Sequence, residues 1–151
     1  MPARCLKEFL DAMGVQYITI PHRPTYTAME VAESAHVAGR EMAKTVIVDL
    51  DGRLAMAVLP ATHHVSLERL GRSLGAQRVG IAREGEFRSG FPGCEVGAMP
   101  PFGNLFDMEV LVDPRLAEDE EIAFNAGTHT EVVRMAYRDF ERLVHPRTAV
   151  M

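Results

Sequence analysis

The chain has 151 residues, 47% of them hydrophobic and 25% charged, with a formal net charge of −5. That length suits a single domain spanning residues 1–151, and the balance of apolar and charged residues is that of a folded globular protein rather than a disordered one. The negative charge argues against a protein that coats nucleic acid nonspecifically, DNA included, because such binding depends on many phosphate neutralisations.

A first helix is expected from about Pro2 to Met13, with Leu6, Phe9, Leu10 and Met13 on one face and Gly14 as its stop. Val15 to Ile20 alternates like a strand. Thr27-Ala28-Met29-Glu30 has the form of a capping box and predicts a helix from Ala28 to His36. Ala43 to Leu50 and Arg53 to Leu59 flank Asp51-Gly52, the dipeptide that best accepts the positive φ angles of a two-residue hairpin turn. Ser66 caps a helix through Leu74 that Gly75 closes. Arg78 to Ile81 predicts a short strand and Ala82 to Arg88 a short helix. Gly90 to Gly103 is too dense in glycine and proline for a regular element. Met108 to Val112, Glu120 to Asn125 and Glu131 to Ala136 read as strands, the first two joined through Pro114, and Arg138 to Val144 as a closing helix. Strands outnumber helices and several follow one another through turns too short for a crossover helix. The expected class is therefore α+β, with a mixed, mostly antiparallel sheet that is curved or barrel-like and has helices around it.

Cys5 and Cys94 form neither a disulfide framework nor a CxxC metal pair. The N-terminus lacks a signal peptide's apolar core, and nowhere do about eighteen apolar residues run together, so the reading is cytoplasmic with no membrane partner. The adjacent His63 and His64 point oppositely in an extended segment, which disfavours a shared metal, and no metal or cofactor is expected. Arg69, Arg72, Arg78, Arg83 and Arg88 form a basic stretch that reads either as a solvated face or as a surface for a polyanion.

Fourteen arginines stand against two lysines, Lys7 and Lys44. A lysine that opens the most strand-like run in the chain is the first residue to question, because a compact ammonium can approach a substrate oxygen and its pKa shifts when it is desolvated. Two loops join it. In Gly97-Ala98-Met99-Pro100-Pro101-Phe102-Gly103 the glycine admits a ligand close to the backbone, and the prolines keep the neighbouring amides aimed, as a developing oxyanion requires. The turn Asn125-Ala126-Gly127-Thr128-His129 is the third segment. Singly these patterns occur in many folds; their order and spacing carry the information. Phe102 and Phe106 read either as stacking surfaces for a base or as core, and Met29 either as a pocket wall or as core.

In the capped helix after His22-Arg23-Pro24-Thr25-Tyr26-Thr27, the hairpin entry Met42-Ala43-Lys44-Thr45, Gly97-x-x-x-Pro101 and Gly127-x-His129, taken in that order, the chain resembles the bacterial YbaK-like family of aminoacyl-tRNA deacylases. That family is similar to the editing domain inserted in bacterial prolyl-tRNA synthetases. The resemblance spans essentially the whole chain and implies a mixed α/β editing fold that hydrolyses the ester joining a wrong amino acid to the tRNA 3′ end. It implies that Lys44 lies near the terminal adenosine and the ester. The backbone from Gly97 to Pro101, with Ala98 and Met99, is then expected to hold the aminoacyl group, while Gly127, Thr128 and His129 line the amino acid pocket. Tyr26, Thr27, Met29, Thr45 and Phe102 are further substrate-binding candidates. A ribose hydroxyl of the tRNA is expected to help activate water, which agrees with the lack of a Ser/His/Asp order or paired carboxylates. The implied partner is mischarged tRNA through its 3′ acceptor end, with an aminoacyl-tRNA synthetase as a second possible partner. A catalytically inactive module of the same fold that binds aminoacyl-tRNA or a synthetase is the alternative, and hydrolysis of a small aminoacyl ester a third. The amino acid, the tRNA and the oligomeric state are not legible in these residues.

Overall fold

The computed structural model describes residues 2–23, 27–87 and 98–151. Its centre is the hairpin of β2 (Ala43–Leu50) and β3 (Arg53–Pro60), paired without interruption from Leu50 opposite Arg53 to Ala43 opposite Pro60. The turn adopts φ angles of 52° at Asp51 and 90° at Gly52, as a two-residue turn between right-twisted strands requires. Asp51 also reaches across the turn: its carboxylate accepts from the amide of Arg78 at 2.7 Å, which fixes the approach to β4 (Val79–Ile81) on the far edge of β2.

On the other side of the hairpin, β5 (Glu109–Val112) pairs with β3, and β8 (Arg147–Thr148) with β5, both in parallel. The five-stranded order is therefore β4-β2-β3-β5-β8. A second, antiparallel sheet has the order β1-β7-β6, from β1 (Tyr17–Pro21), β6 (Glu121–Asn125) and β7 (Glu131–Ala136). The described strands meet in one parallel bridge between Met42 and Ala123, so they form two sheets joined at a corner rather than one closed barrel. The class is α+β, as expected.

Side-chain alternation divides the core. Ala43 and Ile47 of β2, with Met56 and Val58 of β3, pack with Ile122, Phe124, Val133 and Met135 of the second sheet and with Leu6 and Leu10 of α1 (Pro2–Ala12). On the opposite face Val48, Leu50, Ala55, Ala57 and Leu59 lie with Leu70 of α3 (Leu67–Leu74). A strand buried on both faces reads as the unbroken apolar run of β3. A third cluster gathers Val31, Ala32 and Ala35 around Met42, Ala61, Ala123 and Val132, and this is where α2 (Ala28–Ser34) docks. The remaining helices are α4 (Glu84–Phe87) and α5 (Tyr137–Val144).

The expected caps form. Thr27 accepts from the Glu30 amide at 3.1 Å, and its hydroxyl donates to the Glu30 carboxylate at 2.8 Å. Ser66 caps α3, and Gly75 closes it at φ 68°. Several details differ from the sequence reading. The strand after α1 begins at Tyr17 rather than Val15, because the Val15 amide still bonds back to Leu10 at 3.2 Å. The two-residue β8 was not foreseen. The link after β5 is a 3-10 turn, Pro114–Glu118, capped by Asp113.

Asp113 is 1% exposed, and a carboxylate at that depth needs partners. It accepts from Arg115 Nε and Nη2 at 2.9 and 2.8 Å, from the Arg115 amide at 2.9 Å, and from the Met151 amide at 3.4 Å. Burial alone raises its pKa, but these hydrogen bonds and the Arg115 charge outweigh burial and hold the carboxyl below its ordinary 3.8. Its contribution to stability is thus complete above pH 3.8 and is lost as pH falls through the lower folded-state value. Asp113→Ala should destabilise the protein by about 2 to 3 kcal/mol at neutral pH. In urea titrations the gap between the variant and wild type should close as the pH is taken below 3.8.

Candidate functional site

Lys44 is the second residue of β2, half-buried, opposite Leu59 and two residues beyond the bridge at Met42. Desolvation lowers its pKa from the ordinary lysine value. Among the described residues it has no carboxylate partner, whereas Lys7 is paired with Glu131. The two lysines therefore do different things: Lys7 ties α1 to the start of β7, and Lys44 presents a partly desolvated cation at a strand entrance.

The corner between the sheets decides what surrounds that cation. The bridge is parallel and the Ala123 amide donates to the Glu41 carbonyl at 3.0 Å, so β2 and β6 leave it side by side in one direction, while the Ala61 amide bonds the Met42 carbonyl at 2.7 Å and extends the hairpin. Met42 and Ala123 share one apolar cluster. With a side-chain period of two, Lys44 and Asn125, each two residues further on, emerge from that same face. Thr45, half-buried, points to the opposite face with Ala43 and Ile47.

Beyond Asn125 the chain turns. The Ala126 amide bonds the Glu131 carbonyl at 3.1 Å, closing the β6–β7 connection, and Gly127 takes φ 99°, a conformation strained for any side chain. The Gly127 amide donates to the Ala98 carbonyl at 2.8 Å. This bond joins the Gly-Pro loop to the Gly-x-His turn, two segments that lie far apart in the chain. Thr128 and Thr130 approach through their hydroxyls at 3.2 Å, and the Thr130 carbonyl accepts from the His22 amide at 2.9 Å, which attaches the end of β1 to the same turn. His129 is buried, at 7% exposure.

Ala98, Met99, Pro100 and Pro101 are all buried. Phe102 has no exposed surface; its ring packs on Phe124, Phe140 and Phe9 at centroid distances of 5.4, 5.7 and 6.1 Å. Of its two readings the structure takes the core one, and a ring enclosed in that way offers no face to a base. Gly103 is required by a close approach, since a Cβ there would stand 2.0 Å from the Met108 carbonyl oxygen. Met29 goes the other way. At 47% exposure it is not core, and a side chain at Gly39 would meet its methyl and that of Thr62, which places Met29 above the segment leading into β2.

The Gly127–Ala98 hydrogen bond joins the Gly-Pro stretch to the Gly-x-His turn, the Met42–Ala123 bridge carries Lys44 to the same corner, and α2, the helix of Met29, docks on that corner through Val31, Ala32 and Ala35. Tyr26 and Gly97 lie outside the described residues. Asn125 belongs to this corner; in the sequence it heads the third segment with no role assigned to it, and a polar residue closing an apolar strand just before Gly-x-His was the available signal. A cavity of about 870 Å³ bordered by Lys7, Tyr17, Arg134 and Arg138 touches none of these positions. Among the described residues no three His, Cys, Asp or Glu are placed to hold a metal ion, and no helix is long and apolar enough to cross a membrane.

Comparison with known proteins agrees with this architecture. The chain is 28% identical over 142 residues to the multifunctional Ser/Thr-tRNA deacylase ProXp-y of Escherichia coli strain K12, covering 91% of this chain and 84% of that protein. It is 26% identical to the prolyl-tRNA editing protein ProX of Acetoanaerobium sticklandii, covering 89% and 85%. A crystal structure described as a candidate trans-editing enzyme for prolyl tRNA synthetase superposes with a TM-score of 0.82 over 99% of this chain and 95% of its own, at 20% identity, which shows a shared fold. Residues 22–143 match the aminoacyl-tRNA editing domain, and the chain belongs to that family.

Proposed function

We propose that this protein is a trans-editing hydrolase that removes a wrongly attached amino acid from the 3′ end of tRNA. The observation that carries the reading is the convergence of Lys44, the buried stretch Ala98–Pro101 and the Gly127–His129 turn, held by the Met42–Ala123 bridge and the Gly127–Ala98 hydrogen bond. Each is a segment that the family resemblance ties to the ester or to the amino acid.

In this reading water attacks the ester carbonyl carbon, the bond from that carbon to the ribose oxygen breaks, and the ribose oxygen takes the proton. The products are a free amino acid and an uncharged tRNA. Lys44 supplies the cation beside the carbonyl oxygen as it gains negative charge, and its partial desolvation strengthens that attraction. It acts by position and charge, not as a nucleophile or a general base. The backbone from Gly97 to Pro101 holds the aminoacyl group. Gly127, Thr128 and His129 wall the amino acid pocket, with Thr27 and Met29 at its outer rim; Thr45, which points to the opposite face of β2, is not part of it. A ribose hydroxyl of the tRNA directs the water. The chain from 1 to 151 acts as one editing domain, in the cytoplasm where tRNA is charged, on mischarged tRNA released by a synthetase.

Purified protein incubated with seryl-, threonyl-, alanyl- and prolyl-tRNA should deacylate at least one mischarged species. Lys44→Ala should slow that reaction on the order of 10²- to 10³-fold with no loss of melting temperature, because it removes a cation that the fold partly desolvates without pairing. Absence of turnover on every substrate, or full activity in Lys44→Ala, overturns the reading; tRNA binding without cleavage assigns the protein to an inactive binding module. The desolvation has its own check. With two lysines in the chain, NMR of protein labelled at the lysine ε-carbon should resolve both, and the Lys44 signal should titrate below the ordinary 10.5.

A further inference from the structure

The Asn125 side-chain oxygen is buried and has no hydrogen-bond partner among the described residues. A buried amide oxygen left without a donor is destabilising by about 1 to 3 kcal/mol, and folded proteins keep few of them. This one stands in a particular place. Asn125 is the last residue of β6, opposite Val132 of β7, and adjoins the turn whose Gly127 is bonded to Ala98. It leaves the corner on the same face as Lys44, both two residues beyond the Met42–Ala123 bridge. One face of the corner therefore carries a donor-only cation and an acceptor that awaits a donor.

An aminoacyl ester has the complementary pair. Its carbonyl oxygen suits the lysine, and its α-ammonium, one carbon away from that carbonyl, is the donor common to every amino acid whatever its side chain. We propose that the Asn125 carboxamide oxygen accepts a hydrogen bond from the α-ammonium of the aminoacyl group. The site then reads both ends of the α-amino ester and selects free aminoacyl-tRNA over tRNA whose amino acid is N-acylated, as in a peptidyl ester. The inference rests on the deacylase reading above and adds a substrate-binding residue and a selection rule to it. A neutral acceptor suits the task better than a carboxylate, which would pair with Lys44 and remove the cation from the ester. Sites built around a hydrogen bond to substrate discriminate strongly against analogues that cannot make it, because the buried partner is then left unsatisfied.

The test compares kcat/KM for wild type, Asn125→Leu and Asn125→Asp on alanyl-, seryl- and N-acetylalanyl-tRNA, with thermal melting of each protein. Asn125→Leu keeps the branched shape and the number of side-chain heavy atoms and removes the acceptor; Asn125→Asp keeps an acceptor in place. Wild type should prefer alanyl- to N-acetylalanyl-tRNA. Asn125→Leu should lose about ten- to hundredfold on alanyl- and seryl-tRNA while its rate on the N-acetylated substrate stays put, so that the preference collapses. Asn125→Asp should keep the preference even if its overall rate falls. Because no internal hydrogen bond is lost, Asn125→Leu should melt no lower than wild type.

A uniform loss on all three substrates, or no loss, overturns the proposal. So does a drop in the melting temperature of Asn125→Leu, which would show the amide to be a structural partner. A loss confined to seryl-tRNA transfers the contact to a side-chain hydroxyl and overturns the α-ammonium assignment. Wild type that deacylates none of the substrates removes the deacylase reading and this inference together, whereas an active wild type with an indifferent Asn125 removes the inference alone.

Discussion

Among the described residues, the two sheets share a single bridge, Met42 to Ala123, and the candidate site depends on its register. The hydrogen bond from the Ala123 amide to the Glu41 carbonyl crosses the corner and sets that register, while the bond from Ala61 to Met42 extends the hairpin pairing to the bridge. Side chains on a strand change face at every residue, so a slip by one position would turn either Lys44 or Asn125 to the opposite side. The apolar cluster of Met42, Ala123, Val31, Ala61 and Val132 keeps the corner closed, and the polar residues two positions further on inherit its geometry.

The hairpin makes that corner stiff. β3 is buried on both faces, against the second sheet on one side and α3 on the other, and β2 is bound to it along its whole length. Lys44 thus stands at the end of that hairpin, where its ammonium is partly removed from water and has no carboxylate partner among the described residues. The opposite wall is made of loops, which carry the polar backbone that strands and helices use up internally. Those loops are tied rather than loose: Gly127 to Ala98, Ala126 to Glu131, and the end of β1 to Thr130. The aromatic cluster around Phe102 anchors the described end of the Gly-Pro loop.

What could be read from the residues alone was local. Asp51-Gly52 marks its own turn because few dipeptides accept two positive φ angles, and Thr27, Ser66 and Gly75 mark helix ends because their conformations and hydrogen bonds involve only near neighbours. Long-range contacts settled the rest. Phe102 and Met29 each had two readings, and the packing sent the aromatic inward and the thioether outward, an outcome that hydrophobicity could not rank. The turn at Asp113 and the short β8 depend on Arg115 and on the chain's last residues folding back, which no local pattern encodes.

The sequence by itself determined the class of fold, most of its elements, the likeness to the editing family and three of the segments that meet at the site, because turns, caps and spacing are written in adjacent residues. Only the tertiary structure decided that Lys44 and Asn125 share a face, that the Gly-Pro loop is bonded to the Gly-x-His turn, and that Lys44 stands partly desolvated, with no carboxylate partner among the described residues, while Lys7 is matched to Glu131. The physical reason is that side-chain direction and solvent exposure come from how distant strands align, and a single bridge between β2 and β6 sets that alignment.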